Sequence, residues 1–249
     1  MDTREARDIK INDVETQKVI GQKEIIWQKN TVPGPSKLIG GNLQAGFYGE
    51  VPTSEFITGD ELAKQLGITL GVSQNSNGGW LKFSYMGKTE FIAKKTFRYS
   101  ISWDNISYQN AVTGQRTIKI GDHTYKIRLM KGRDEGNPFY YTGPYSGDGV
   151  KNSEWNRLML PIHKNAPSNW VFEYNVNSPT ENWNIGYTDK DLFTHYTAGN
   201  GACTLCQEYG AIPQDRLYRG YSGVSDSNYV TKSDSGNYCG WRPVLELVD

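Results

Sequence analysis

Tyr238-Cys239-Gly240-Trp241-Arg242-Pro243-Val244-Leu245-Glu246-Leu247 decides how the rest of the chain is read. Trp241, Val244, Leu245, Leu247 and the following Val248 are apolar, and Gly240 leaves room for a close backbone approach. The run predicts one buried strand. Such a strand ties the end of the sequence into a core, which is what keeps a terminus ordered.

Outward from that strand, composition narrows the choices. A chain of 249 residues is long enough to bury a sizeable core. Its hydrophobic fraction is only 37%, while Gly, Tyr and Trp occur 27, 16 and 7 times. That profile suits short strands and many turns covered by amphipathic aromatics, and it argues against long helical bundles. Formal net charge is zero and no dense Lys/Arg cluster occurs, so no general attraction to nucleic acid or to an anionic membrane is expected. No apolar run approaches the roughly 20 residues of a membrane span. Met1-Asp2-Thr3-Arg4-Glu5 lacks the apolar stretch of a signal peptide, so synthesis in a cytoplasm is expected.

Punctuation by Gly and Pro predicts the organisation. Residues 8–29 alternate apolar and charged positions around Asn12-Asp13 and Gly21-Gln22 and predict a small β element, residues 1–32, too small to be stable alone. Pro33-Gly34-Pro35-Ser36 reads as a linker and 37–249 as one domain. Within it, Thr58-Gly59-Asp60-Glu61 is a capping box for a helix over Asp60 to Leu66, stopped by Gly67. Ser153 and Pro161 bound a second short helix, and Thr188-Asp189-Lys190-Asp191-Leu192 caps a third. Hairpins are predicted for Trp80 to Ala93 and for Thr117 to Met130, turning at Gly121-Asp122. Phe97 to Trp103 fits a strand or a packed turn. Lys131 to Lys151 and Pro167 to Tyr187 read as long loops, which in a compact domain are usually functional or lie against another subunit.

Several of these stretches in order, Ser153-Glu154-Trp155-Asn156-Arg157-Leu158, Tyr187-Thr188-Asp189-Lys190-Asp191-Leu192, Cys206-Gln207-Glu208, Arg219-Gly220 and Gly240-Trp241-Arg242-Pro243-Val244-Leu245-Glu246, resemble tailed-phage virion proteins with a C-type-lectin-like C-terminal domain. Gly46-Phe47-Tyr48-Gly49-Glu50 and Gly79-Trp80-Leu81-Lys82-Phe83 are similar too, so the resemblance spans about Leu38 to Leu247. It implies an α+β fold: a small N-terminal β element, then a C-type-lectin-like domain with short helices and twisted antiparallel strands. It also implies a virion location, attachment to other virion subunits through residues 1–32, and homo-oligomeric assembly. The formylglycine-generating relatives of that fold use a cysteine pair near the C-terminal end, whereas this chain has Gly240-Trp241-Arg242-Pro243 where they carry a Gly-Phe-Arg-Cys type ending. Oxidase activity is therefore not expected.

No constellation points to catalysis. Cys203-Thr204-Leu205-Cys206 has the spacing of a zinc or redox pair, but only Cys239 remains, with His163 or His195 as a possible fourth ligand. Buried thiols, a metal site and a disulfide formed outside the cell all stay open for Cys203, Cys206 and Cys239. No Gly-x-Ser-x-Gly elbow occurs, and His123, His163 and His195 share no helix face. Asp134-Glu135 and Asp189/Asp191 read as loop and cap carboxylates, and the loop aspartates form no regular calcium loop. The expectation is a non-enzyme with neither cofactor nor metal.

What remains is distributed: aromatics alternate with Asn, Asp, Ser and Gly from Tyr140 to Tyr145, Trp170 to Trp183 and Tyr218 to Tyr238. Flat rings stack on sugar faces or fill protein pockets, while small polar groups adapt hydrogen bonds. In the retroelement-diversified phage relatives the ligand-contacting positions lie just before the last strand. The candidates are Tyr218, Arg219, Tyr221, Asn228, Tyr229 and Tyr238, with Trp170 and Trp183. The expected role is a structural protein of the tail, baseplate or fibre that binds a host-surface glycan or protein. Capsid decoration or a head fibre is the alternative.

Overall fold

A computed structural model describes residues 32–134, 152–165, 182–210 and 212–248, and the backbone of strands within 9–28. The chain divides into Met1–Pro33 and Gly34–Asp249. The first unit holds two antiparallel hairpins. One pairs β1 (Ile9–Ile11) with β2 (Val14–Thr16), the other β3 (Lys18–Gly21) with β4 (Glu24–Gln28).

The second unit is mostly β, which overturns the α+β, C-type-lectin-like expectation. Its strands are β5 (Gly40–Gly41), β6 (Ala45–Val51), β7 (Val72–Ser73), β8 (Trp80–Tyr85), β9 (Lys88–Ala93), β10 (Arg98–Tyr99), β11 (Thr113–Ile120), β12 (His123–Arg128), β13 (Cys203–Tyr209), β14 (Asp215–Arg219), β15 (Ser227–Thr231), β16 (Cys239–Trp241) and β17 (Val244–Leu247). Seven form an antiparallel sheet in the order β11-β12-β17-β9-β8-β6-β5. Six form a mixed sheet in the order β15-β14-β13-β16-β10-β7, whose β13–β16 pair is parallel. The helices are short: α1 (Gly59–Leu66), α2 (Trp103–Tyr108), α3 (Glu154–Leu158) and α4 (Asp189–Leu192). The local reason is visible at their ends. Each has its N-cap hydroxyl, Thr58, Ser102, Ser153 or Thr188, but α1 stops after two turns at a left-handed Gly67 and α4 after one at a left-handed Phe193.

The expected single terminal strand is in fact two. Trp241 pairs with Arg98 in the mixed sheet, and Val244 pairs with Ile92 and Arg128 in the antiparallel one. Pro243 has no N–H to give a ladder, so the chain leaves one sheet there and enters the next. Gly240 is needed for the approach, because a Cβ there would lie 2.4 Å from the Gly201 carbonyl oxygen. The terminal stretch thus fastens the two sheets together.

The antiparallel sheet is covered on both faces. On one, Phe47, Leu81, Phe83, Ile92 and Val244 pack with Trp155 and Leu158 of α3, Met159 just after it and Leu192 of α4. On the other, Phe56 meets Trp80, Phe91 and Tyr125 at ring separations of 5.3, 4.5 and 5.2 Å. Two-sided cover is why β8 is buried along nearly its whole length, with no inside-outside alternation in exposure.

Two polar knots hold the layers. Arg128 is clamped by Glu90 at 2.5 Å, Glu154 at 2.9 Å and Glu246 at 3.4 Å, all but Glu246 deeply buried. Around Trp155, the guanidiniums of Arg219 and Arg242 stack at 5.6 and 5.8 Å. Arg242 donates to Thr204 Oγ1 and to the carbonyls of Ala93, Lys94 and Leu192. Arg219 donates to the carbonyls of Gly132 and Asp226 and to Asn156 Oδ1. Burial pushes these two guanidiniums down, to about 10 for Arg219 and about 9 for Arg242. Both remain charged at neutral pH.

Candidate functional site

On one face of the mixed sheet the last third of the chain assembles a continuous aromatic surface. Strand pairing decides who joins it. Tyr218 on β14 is opposite Leu205 of β13 and Asn228 of β15, so these three share a face. Tyr221 follows after Gly220, whose φ of 88° turns the chain out of the strand. Its ring lies 6.4 Å from Tyr218 and 6.0 Å from Tyr238, both edge-on, and 5.8 Å from Tyr196. Tyr196 in turn stacks on His195 at 4.2 Å. An antiparallel bridge between His195 and Ser222 and a 2.8 Å bond from Tyr196 N–H to the Tyr221 carbonyl hold the two segments together.

The surface is graded from floor to rim. Tyr218 is buried and forms the floor, Tyr221 and Tyr238 are half-buried, and Tyr196 is 55% exposed. Burial pushes the Tyr218 hydroxyl up. Tyr238 donates to Asp234 Oδ2 at 2.5 Å, so burial first and this bond second push its hydroxyl up as well. Asp234 also caps Gly236 N–H, and Asn237 donates to Asn200. The polar rim is therefore Asn200, Asp234, Asn237 and Asn228. Among the described residues this rim brings one carboxylate, already engaged by Tyr238, and no Lys or Arg. Half-exposed rings with preset tilts and small amides can hold a ligand by stacking and hydrogen bonds at little cost in side-chain entropy.

Of the expected residues, Tyr218, Tyr221, Asn228 and Tyr238 come together here. Tyr229 does not. It pairs with Leu217, one position out of phase, and faces the opposite side, where a Cβ on Gly210 would touch its ring. Arg219 is wholly buried in the knot around Trp155. Trp183 is half-buried against Gly40 and Gly41 at the β5 edge of the other sheet. Trp170, the stretch Tyr140 to Tyr145 and most of both long loops lie outside the described residues. Sequence reasoning missed Tyr196 and His195, which sit in Phe193-Thr194-His195-Tyr196 directly after α4. That aromatic run was the available signal.

Cys203 and Cys239 are registered partners across β13 and β16, whereas Cys206 faces Gly132 and Leu217. Cys203, Cys206 and Cys239 are buried free thiols. Among the described residues no group of three or more His, Cys, Asp or Glu could hold a metal ion. His163 Nδ1 accepts from Asn165 N–H and its Nε2 lies 3.5 Å from Asp189, while burial pushes the ring down, so it is a neutral packing histidine. His123 is half-buried near Tyr125.

Beneath the far face, the Glu208 carboxyl points inward and accepts the Gly132 N–H at 3.0 Å, and burial pushes it up from 4.5 to about 7. Its folded-state value lies above the unfolded one, so it stabilises the fold below pH 4.5 and that contribution fades as pH rises through about 7. Glu208→Gln is expected to flatten this part of the melting-temperature profile and to raise the melting temperature above pH 7. An unchanged slope would contradict the assignment.

Comparison with family models, curated proteins and solved structures found no match.

Proposed function

We propose that the chain is a non-enzymatic recognition protein of a phage virion, and that the aromatic surface around Tyr221 binds a host-surface glycan with no net charge. The observation that carries the binding part is the ring series His195, Tyr196, Tyr221, Tyr238 over a Tyr218 floor, half open to solvent and rimmed by amides. Sugar rings offer apolar C–H faces to such aromatics and hydroxyls to Asn and Asp. Among the described residues the rim supplies no cation that would favour sulfated, phosphorylated or sialylated ligands. Binding of this kind is insensitive to salt, because little of it is long-range charge attraction.

The virion part rests on the ordered motifs quoted from the sequence. In this reading residues 1–32 attach the chain to other virion subunits and residues 37–249 display the surface. An antibody to residues 36–249, applied to intact virions and seen by electron microscopy, tests it. Label at the tail tip or baseplate is expected. Label over the head would make the chain a capsid decoration protein and its rings subunit contacts.

A further inference from the structure

We propose that Cys203 and Cys239 are a latent disulfide site, closed by a low-molecular-weight disulfide such as oxidised glutathione, and that the bond fastens the aromatic surface. The two residues are directly registered partners in the parallel β13–β16 pair, with Cys203 N–H bonded to the Tyr238 carbonyl at 3.1 Å. Neighbouring strands run about 4.8 Å apart and registered side chains project to one face, within the Cα separation of about 4.4–6.8 Å that a disulfide spans. Burial first, and the neighbouring Cys239 thiol second, push the Cys203 thiol well up. Gly240 passes close over Gly201, where a Cβ would lie 2.4 Å from the Gly201 carbonyl oxygen, so the two strands approach tightly beside the pair.

Cys206 is excluded by the same geometry. Three positions along β13 it projects from the other face, where its Sγ donates to the Thr204 carbonyl and packs beside Gly132 and Leu217. The Cys203-x-x-Cys206 spacing that looks like a redox pair is split across the sheet. The productive pair is Cys203 with Cys239.

The chemistry balances. One thiolate attacks oxidised glutathione and releases one reduced glutathione, and the second cysteine attacks the resulting mixed disulfide and releases the other. Two electrons and two protons leave the pair. Both thiols are fully buried, and burial pushes the Cys203 thiol well up, so the exchange occurs while the chain folds or when β16 opens. The closed loop spans residues 203–239 and carries Tyr218, Tyr221 and Tyr238. The bond restricts the unfolded chain and holds the Asp234–Tyr238 segment against β13.

Refolding the full chain in a buffer of reduced and oxidised glutathione, followed by N-ethylmaleimide, digestion and mass spectrometry, tests the proposal. Expected are a cross-linked peptide joining Cys203 to Cys239, an alkylated Cys206, and a melting temperature about 5–10 °C above that of the dithiothreitol-treated sample. Cys206→Ala should keep the cross-link and the shift, and Cys239→Ala should lose both. Three alkylated thiols after refolding, or a bond that includes Cys206, would overturn it. Neither outcome bears on whether the aromatic surface binds glycans.

Discussion

Arg128→Met is expected to lower the stability of the folded chain by about 3–5 kcal/mol, the cost typical of breaking a buried ion pair from one side. The guanidinium answers Glu90 from β9, Glu154 from α3 and Glu246 from β17, so its loss strands carboxylates in the core. Glu154 keeps the Lys131 N–H, and Glu246 keeps Lys88 at 2.6 Å. Burial already pushes the Glu90 carboxyl well up, so Glu90 takes a proton in the variant and Glu154 becomes the exposed weakness. Two measurements follow from this. In denaturant melts the deficit should shrink as pH falls and the stranded carboxylates protonate. Adding Glu154→Gln to Arg128→Met should recover part of the loss. A deficit below about 1 kcal/mol, within the range of ordinary surface changes, would show that the cluster is not what joins α3 to the sheet.

Arg242→Met is the second large effect, expected at about 3 kcal/mol or more. Among the described residues no carboxylate pairs with this arginine. It instead satisfies three carbonyls, from Ala93, Lys94 and Leu192, and the Thr204 hydroxyl, which belong to the two sheets and to α4. Each acceptor left buried without a donor costs about 1–3 kcal/mol. The Met chain would still fill space beside Trp155, so the loss isolates hydrogen bonding from packing. Arg242→Lys should restore less than half, because an ammonium cannot reach acceptors spread around a planar fork. If the lysine variant were as stable as the parent, charge and not geometry would be the relevant property.

These two knots explain which parts of the sequence were readable. The capped helices at Thr58, Ser153 and Thr188 were legible because cap chemistry is local: a hydroxyl marks each start, joined by a carboxylate three residues on at Thr58 and Thr188 and by Pro161 beyond the end at Ser153. The hairpins turning at Met86-Gly87 and Gly121-Asp122 were legible for the same reason. Helix α2 was not, since Trp103-Asp104-Asn105-Ile106-Ser107-Tyr108 is poor in strong helix formers and only its Ser102–Asn105 box marks it. The terminal run read as one strand because the exchange of sheets at Arg242-Pro243 depends on partners far away in sequence. The α+β expectation failed because short caps in series do not reveal how many strands surround them.

The candidate surface was half legible. Tyr218, Tyr221 and Tyr238 converge, but register sends Tyr229 to the opposite face, and a one-residue phase difference of that kind is invisible without the strand partners. Arg219 was chosen as a contact from its place in the sequence, and the fold uses it as a buried donor. Tyr196 and His195 reach the surface through a bridge to Ser222 that no local pattern announces.

The most direct test of the account is a titration of the full chain and of Tyr221→Ala with a panel of neutral and anionic oligosaccharides, read by calorimetry beside a melting curve for each protein. Tyr221 is half-buried and surface-facing, so its truncation should leave the melting temperature nearly unchanged. The account predicts saturable binding of at least one neutral saccharide, indifferent to salt, and weakened about tenfold in Tyr221→Ala, which is roughly 1.4 kcal/mol. Absence of binding by every neutral saccharide, or equal affinity for the two proteins, would contradict the claim that the aromatic surface is a glycan-recognition site.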